Sequence, residues 1–159
     1  MRAGCLFWVG VAALVLAHFA VHVGLGLDRA PDLLAVAVLL AAREVGLGAA
    51  AALGLVAGLL EDSLSVLSFG ANALALAAVG TAGAATRDLF VGDSRLFVLF
   101  YFLLGKWLRD LIHWIAVGDT FRQPFLDQVL AQGFVGGLYA ALVGLILVEV
   151  LRLRPEIAG

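Results

Sequence analysis

LFVLFYFLLGKWLRDLIHWIAV, residues 96–117, is the stretch that decides the fold of this chain. Residues 96–105 carry no charge, whereas residues 106–117 hold four ionisable side chains, Lys106, Arg109, Asp110 and His113. These positions recur at helical spacing, so they form one stripe along a helix. Because a charged side chain in lipid costs at least ~2.5–3.5 kcal/mol, we expect the stripe to face a bundle interior or a water-filled cavity.

Pairing within the stripe lowers this cost. On a helix, Lys106 reaches Asp110 at i+4, and Asp110 reaches His113 at i+3. The spacing therefore predicts both pairs.

The composition predicts an integral membrane protein. The chain is 64% hydrophobic and only 14% charged, whereas a soluble domain is about a quarter charged. A net charge of -2 gives no reason to expect a nucleic-acid partner. A single cysteine, Cys5, excludes an internal disulfide.

Six hydrophobic elements separated by polar breaks predict an all-α, polytopic membrane protein, with one integral membrane domain over residues 1–159. The second element, bracketed by Asp32 and Arg43, has too few residues to cross a ~30 Å hydrocarbon core. It is either a short helix sheltered by its neighbours or a re-entrant segment. The predicted helices cover residues 3–27, 33–42, 45–60, 71–86, 96–117 and 129–151.

The arginines indicate the orientation of this six-helix transmembrane bundle. If all six helices cross, only Arg29 and Arg122 lie on one side of the membrane. The positive-inside rule then places both termini in the cytoplasm. The arginines on the cytoplasmic side are Arg2, Arg43, Arg87, Arg95, Arg152 and Arg154.

Small residues mark where helices pack. Gly54 with Gly58, and Gly133 with Gly137, form two GxxxG pairs. Such faces let helix backbones approach closely in lipid. They predict packing seams inside the bundle, and the alternative is self-association as a homodimer.

The predicted topology places further ionisable groups at the same outward depth as the stripe. His18 and His22 share a face of the first helix, and Glu61 and Asp62 end the third. Four interpretations stay open: a structural polar core, an outward-opening cavity for a partner or ligand, a metal site on His18, His22 and His113, and a proton relay.

No arrangement of serine, cysteine and carboxylate side chains is typical of hydrolysis, so we expect no enzyme and no cofactor. The neighbouring acids Glu61 and Asp62 are predicted to point to different faces of a continuing helix.

The segment GLVAGLLEDSLSVLSFGANAL, residues 54–74, resembles the MreD family of bacterial rod shape-determining proteins. The family pattern falls on Gly54, Gly58, Asp62 and Gly70. PDLLAVAVLLAAREVGLG, residues 31–48, is also similar to that family. This chain departs from the pattern by the additional acid Glu61 and by a turn without its usual central glycine.

The resemblance implies a non-catalytic component of the cell-elongation machinery in the bacterial cytoplasmic (inner) membrane. It implies that Gly54, Gly58, Asp62 and Gly70 serve helix packing or partner binding. The implied partner is an MreC-like single-span membrane protein, which leads indirectly to MreB, RodA and penicillin-binding protein 2.

MreD-like proteins are also similar in fold to the substrate-binding subunits of energy-coupling-factor transporters. That similarity gives an alternative function, a vitamin-transporter subunit with an outward-facing pocket. The pocket would be formed by His18, His22, Glu61, Lys106, Arg109, Asp110 and His113.

Overall fold

The computed structural model describes residues 2–25, 31–64, 69–87, 94–118 and 122–152, and the regular elements in these ranges are all helical. This confirms the prediction of an all-α chain with six helices. The α-helices are α1 (Arg2–Phe19), α2 (Leu33–Glu44), α3 (Leu47–Asp62), α4 (Ala71–Thr86), α5 (Arg95–Ala116) and α6 (Gly133–Arg152).

Two π-helical segments, which the hydropathy pattern does not predict, extend this set. Ala20–Gly24 continues α1, and Leu126–Gln132 leads into α6. The predicted first and sixth helices therefore each contain a change of helix type. Residues 26 and 27 of the predicted first helix lie outside the described residues.

The short helix α2 is the centre of the bundle. It packs against each of the other five α-helices, and its residues 34–42 are all buried. Its 12 residues correspond to a length of about 18 Å. The structure thus matches the prediction of a short helix sheltered by its neighbours.

Three arginines, Arg43, Arg87 and Arg95, lie at one end of the bundle, which we call the arginine end. The Arg87 guanidinium donates a 2.8 Å hydrogen bond to the Val45 carbonyl, so the ends of α2 and α4 meet. Arg95 forms a 2.9 Å ion pair with Glu149, which joins the start of α5 to the end of α6.

At the other end of the bundle, a second group of contacts joins the helix ends. Asp62 at the end of α3 accepts a hydrogen bond from the Ala73 backbone in the first turn of α4. Arg109 in the second half of α5 forms an ion pair with Asp32, directly before α2. The helices from α2 to α6 therefore alternate in direction.

Glycines bring the backbones of neighbouring helices together. A Cβ atom at Gly54 would overlap the Leu76 carbonyl group of α4, and one at Gly58 would overlap Ala73. A Cβ at Gly137 would lie 3.2 Å from the Leu103 carbonyl of α5. Both predicted glycine faces therefore form packing seams within the chain, as predicted.

The outer surface of the bundle is apolar. Two stretches, Gly4–Gly24 and Leu126–Val150, are long and apolar enough to cross a membrane. On α5, the large side chains of Phe100, Leu104 and Ile115 are exposed, while Lys106 of the same helix is buried. An apolar exterior around buried charge is the opposite of the arrangement in a soluble domain.

Candidate functional site

The predicted motif residues Gly54, Gly58, Asp62 and Gly70 lie together in the hairpin of α3 and α4. The Asp62 carboxylate is buried and accepts backbone hydrogen bonds from Gly70 and Ala73, each 2.9 Å long, and from Asn72 at 3.2 Å. It satisfies amides that the start of a helix otherwise leaves unpaired.

Gly70 makes this cap possible. Its φ of 94° lies in the left-handed region, where a residue with a Cβ is strained. In this geometry the four motif residues hold the hairpin together: Gly54 and Gly58 permit the close approach, Gly70 turns the chain, and Asp62 caps α4.

Arg109 is the centre of a polar cluster that joins four helices. Its Nη1 atom lies 2.8 Å from Asp32 Oδ2. Its Nη2 atom donates to both carboxylate oxygens of Glu61 at 2.8 Å and to Asn72 Oδ1 at 2.9 Å. One guanidinium from α5 thus contacts the start of α2, the end of α3 and the start of α4.

Lys106 completes the cationic part of the cluster. It is buried and forms the predicted ion pair with Asp110, and its Nζ atom also lies 3.6 Å from Asp32 Oδ2. The other predicted pair, Asp110 with His113, is not among the ion pairs of the described residues. Asp110 is instead shared with Arg109, whose Nη1 atom lies 3.6 Å away.

The two histidines of the first helix are placed differently from each other. His18 is buried, with Nδ1 3.8 Å from Asp32 and Nε2 3.9 Å from Glu61, too far for hydrogen bonds. His22 donates through Nδ1 to the His18 carbonyl at 3.0 Å, and the two rings stack with centroids 4.2 Å apart. His113 lines the same cavity from α5.

This arrangement does not resemble the three-histidine metal site that sequence spacing allowed. The rings of His18 and His22 are stacked, and His22 Nδ1 is engaged by the His18 carbonyl. Within the described ranges, no group of three histidine, cysteine or acidic side chains is suited to hold a metal ion.

Asp32 and Asn72 are site residues that sequence reasoning missed. In the sequence Asp32 marks only a polar break, whereas in the structure it caps α2, with Oδ1 accepting from the Ala35 amide at 3.0 Å, and pairs with Arg109. Two features of the sequence point to Asp32. An acid between Pro31 and an apolar run is typical of a helix N-cap. The stripe on α5 has two cations for one carboxylate, so a second carboxylate is expected nearby.

The cluster forms one wall of a cavity of about 960 Å³. Both π-helical segments contribute to its lining, through His22 on one side and Gln128 and Gln132 on the other, and Val135 and Tyr139 add a less polar surface. Local π-helical turns are often found at functional sites. The structure therefore brings the predicted groups together around one open, mixed polar and apolar space.

No known protein family, curated protein or solved structure matches this chain.

Proposed function

We propose that this chain is a multi-pass protein of the bacterial cytoplasmic membrane, whose six helices cross the bilayer with both termini in the cytoplasm. Support comes from the alternating helix directions, the apolar exterior and the grouping of arginines at one end. The cavity then opens toward the outside, and the short α2 is screened from lipid by its neighbours.

We propose further that it is a non-catalytic component of the machinery for cell elongation, related in role to MreD. The observation that carries this proposal is the hairpin of α3 and α4. The four positions that carry the resemblance, Gly54, Gly58, Asp62 and Gly70, have connected roles in this one element. If the sequence resemblance were a chance similarity of apolar residues, there would be no reason for its four motif positions to act together in one structural element.

In this role the protein holds a partner and catalyses nothing. The partner is an MreC-like single-span protein, through which it supports RodA, penicillin-binding protein 2 and MreB in wall synthesis. Around the cavity, the two cations are engaged by carboxylates, and no serine or cysteine is among the described lining residues.

A second candidate is supported by the cavity itself. Its volume of about 960 Å³ is within the range of sites for small molecules. A membrane subunit that captures a vitamin-like ligand from outside needs such a cavity at its outer end.

Affinity purification from native membranes in mild detergent tests the proposal. The tagged chain is compared with an unrelated multi-pass protein that carries the same tag, and co-purified proteins are identified by mass spectrometry. We expect specific recovery of an MreC-like protein, together with RodA or penicillin-binding protein 2. Recovery of an energy-coupling membrane protein with ATPases would support the transporter subunit and overturn the elongation proposal.

A further inference from the structure

The polar wall of the cavity carries more negative than positive charge. Its carboxylates are Asp32, Glu61 and Asp110, and its cations are Lys106 and Arg109. With neutral histidines, three carboxylates and two cations leave one negative charge on the described lining. An excess charge near a low-dielectric interior is costly unless a counter-charge balances it.

The two cations are already engaged. Lys106 lies within ion-pair distance of Asp32 and Asp110, and Arg109 pairs with Asp32 and Glu61. An anionic ligand would have to compete with these carboxylates and would add to the excess charge. The electrostatics of the wall therefore favour a cation.

His18 is a second and independent indication. It is 3% exposed, it lines the cavity, and its Nδ1 atom has no hydrogen-bond partner in the described structure. Its ring stands between Asp32 and Glu61, at 3.8 and 3.9 Å, without bonding to either. Buried polar atoms are normally paired, so the polar contacts around His18 are incomplete at this place.

We propose that the cavity binds one organic cation, a primary ammonium or guanidinium group on a short apolar stem, beside His18 and Glu61. The cation supplies the missing positive charge and donates hydrogen bonds to Glu61, and the stem lies against Val135 and Tyr139. A volume of about 960 Å³ is far larger than a bare inorganic ion requires. This inference goes beyond the proposed function and does not rest on it.

A cation of this kind has two possible origins. The cation is either the lysine or arginine side chain of a partner protein or a free small amine. Both place an ammonium or guanidinium group at the same point of the cavity.

Thiol labelling measures the charge preference of the cavity. In a Cys5→Ser background, Gln132→Cys puts a reporter on the cavity wall, and Gly118→Cys puts a control on an exposed residue outside the described lining. The purified full chain is labelled at pH 8 with two methanethiosulfonate reagents of similar size, one carrying a trimethylammonium group and the other a sulfonate.

We expect the ratio of the cationic to the anionic labelling rate to be about tenfold higher at Gln132→Cys than at the control. Adding Glu61→Gln should bring this ratio toward the control value, whereas Glu149→Gln at the arginine end should leave it unchanged. Equal ratios at the two reporters would mean that a proton on His18 already balances the charge, and would overturn the proposal. The comparison of Gln132→Cys with Gly118→Cys leaves the polar cluster unchanged, so it is informative even if Glu61→Gln misfolds.

Two further arms distinguish the sources. A partner side chain should protect Gln132→Cys in native membranes, and purification away from the partner should remove the protection. A free-amine site should instead be protected in the purified chain by added n-butylammonium and not by neutral 1-pentanol. If neither arm slows labelling, no cation occupies the cavity and the proposal is wrong.

Discussion

Arg109 has the largest share of the contacts that hold the polar interior together. Its guanidinium forms ion pairs with Asp32 and Glu61 and donates a hydrogen bond to Asn72, and these residues belong to three different parts of the chain. The planar, forked donor geometry of arginine suits several carboxylate and amide acceptors at once, and a lysine at this position could not reach them all. Arg109 is therefore a structural cross-link made of one side chain.

We predict that Arg109→Met strongly destabilises the folded chain, because Asp32 and Glu61 would lose their principal cation while remaining largely buried. Removing one partner of a buried ion pair costs about 3–5 kcal/mol. The matched control is Arg95→Met, whose side chain is 75% exposed and whose ion pair with Glu149 should be worth at most about 1 kcal/mol.

The measurement is the unfolding of each purified variant by titration with a denaturing detergent, followed by circular dichroism. Equal midpoints for the Arg109 and Arg95 variants would show that the cluster contributes little to stability. Arg109→Lys should fall between the wild type and Arg109→Met.

Whether a contact between two residues was predictable depends on how far apart they are in the sequence. The pair of Lys106 with Asp110 follows from helical spacing, because both residues are on one helix. The place of Asp32 beside Arg109 does not, because it depends on which helices are neighbours. Helix order in a bundle is set by the fit of all its faces together, and no local pattern encodes it.

At the scale of elements, the hairpin of α3 and α4 is the most closely packed unit. Glycine backbones of α3 lie directly against the α4 backbone, so the two helices approach more closely than side chains would otherwise allow. In lipid, where apolar side chains gain nothing by leaving the solvent, this close contact is the main source of helix association.

We predict that Gly54→Ala separates these helices and lowers the free energy of unfolding by about 1–3 kcal/mol, since its Cβ would overlap the Leu76 carbonyl. Gly48→Ala on the same helix is the matched control. A Cβ there has nothing within 4 Å, and alanine is the better helix former, so stability should stay the same or rise. The same detergent titration measures both variants, and similar losses would contradict the packing described for α3 and α4.

The six α-helices were predictable, and the two π-helical segments were not. Long apolar runs between polar breaks predicted the six helices, because composition and length suffice for that. The π-helical segment Leu126–Gln132 lies where the Trp107 indole donates a 3.0 Å hydrogen bond to the Val129 carbonyl. A hydropathy pattern does not predict such a contact between two helices.

For the whole molecule, the proposed orientation has a direct consequence for accessibility. Gly46 lies in the turn between α2 and α3 at the arginine end, and Gly118 follows α5 near the opposite end. Both are exposed, and a side chain at either position meets no neighbour within 4 Å. The two positions are therefore suitable reporters for the two sides of the membrane.

We predict that a membrane-impermeant maleimide labels Gly118→Cys, and not Gly46→Cys, in right-side-out vesicles of the Cys5→Ser background. Inside-out vesicles should show the reverse, because the positive-inside rule places the arginine end in the cytoplasm. Labelling of both residues from the same side would show that the helices between them do not cross an odd number of times, and the six-span topology would fail.

The burial of α2 also has a consequence for biogenesis. This helix leaves the ribosome before α3, α4, α5 and α6, yet those four helices form most of its surroundings. At about 18 Å it is too short to be retained in the bilayer as an independent span. In the proposed bilayer-spanning orientation, α2 therefore reaches its final position only after α3, α4, α5 and α6 have been made, with these later helices closing around an early one.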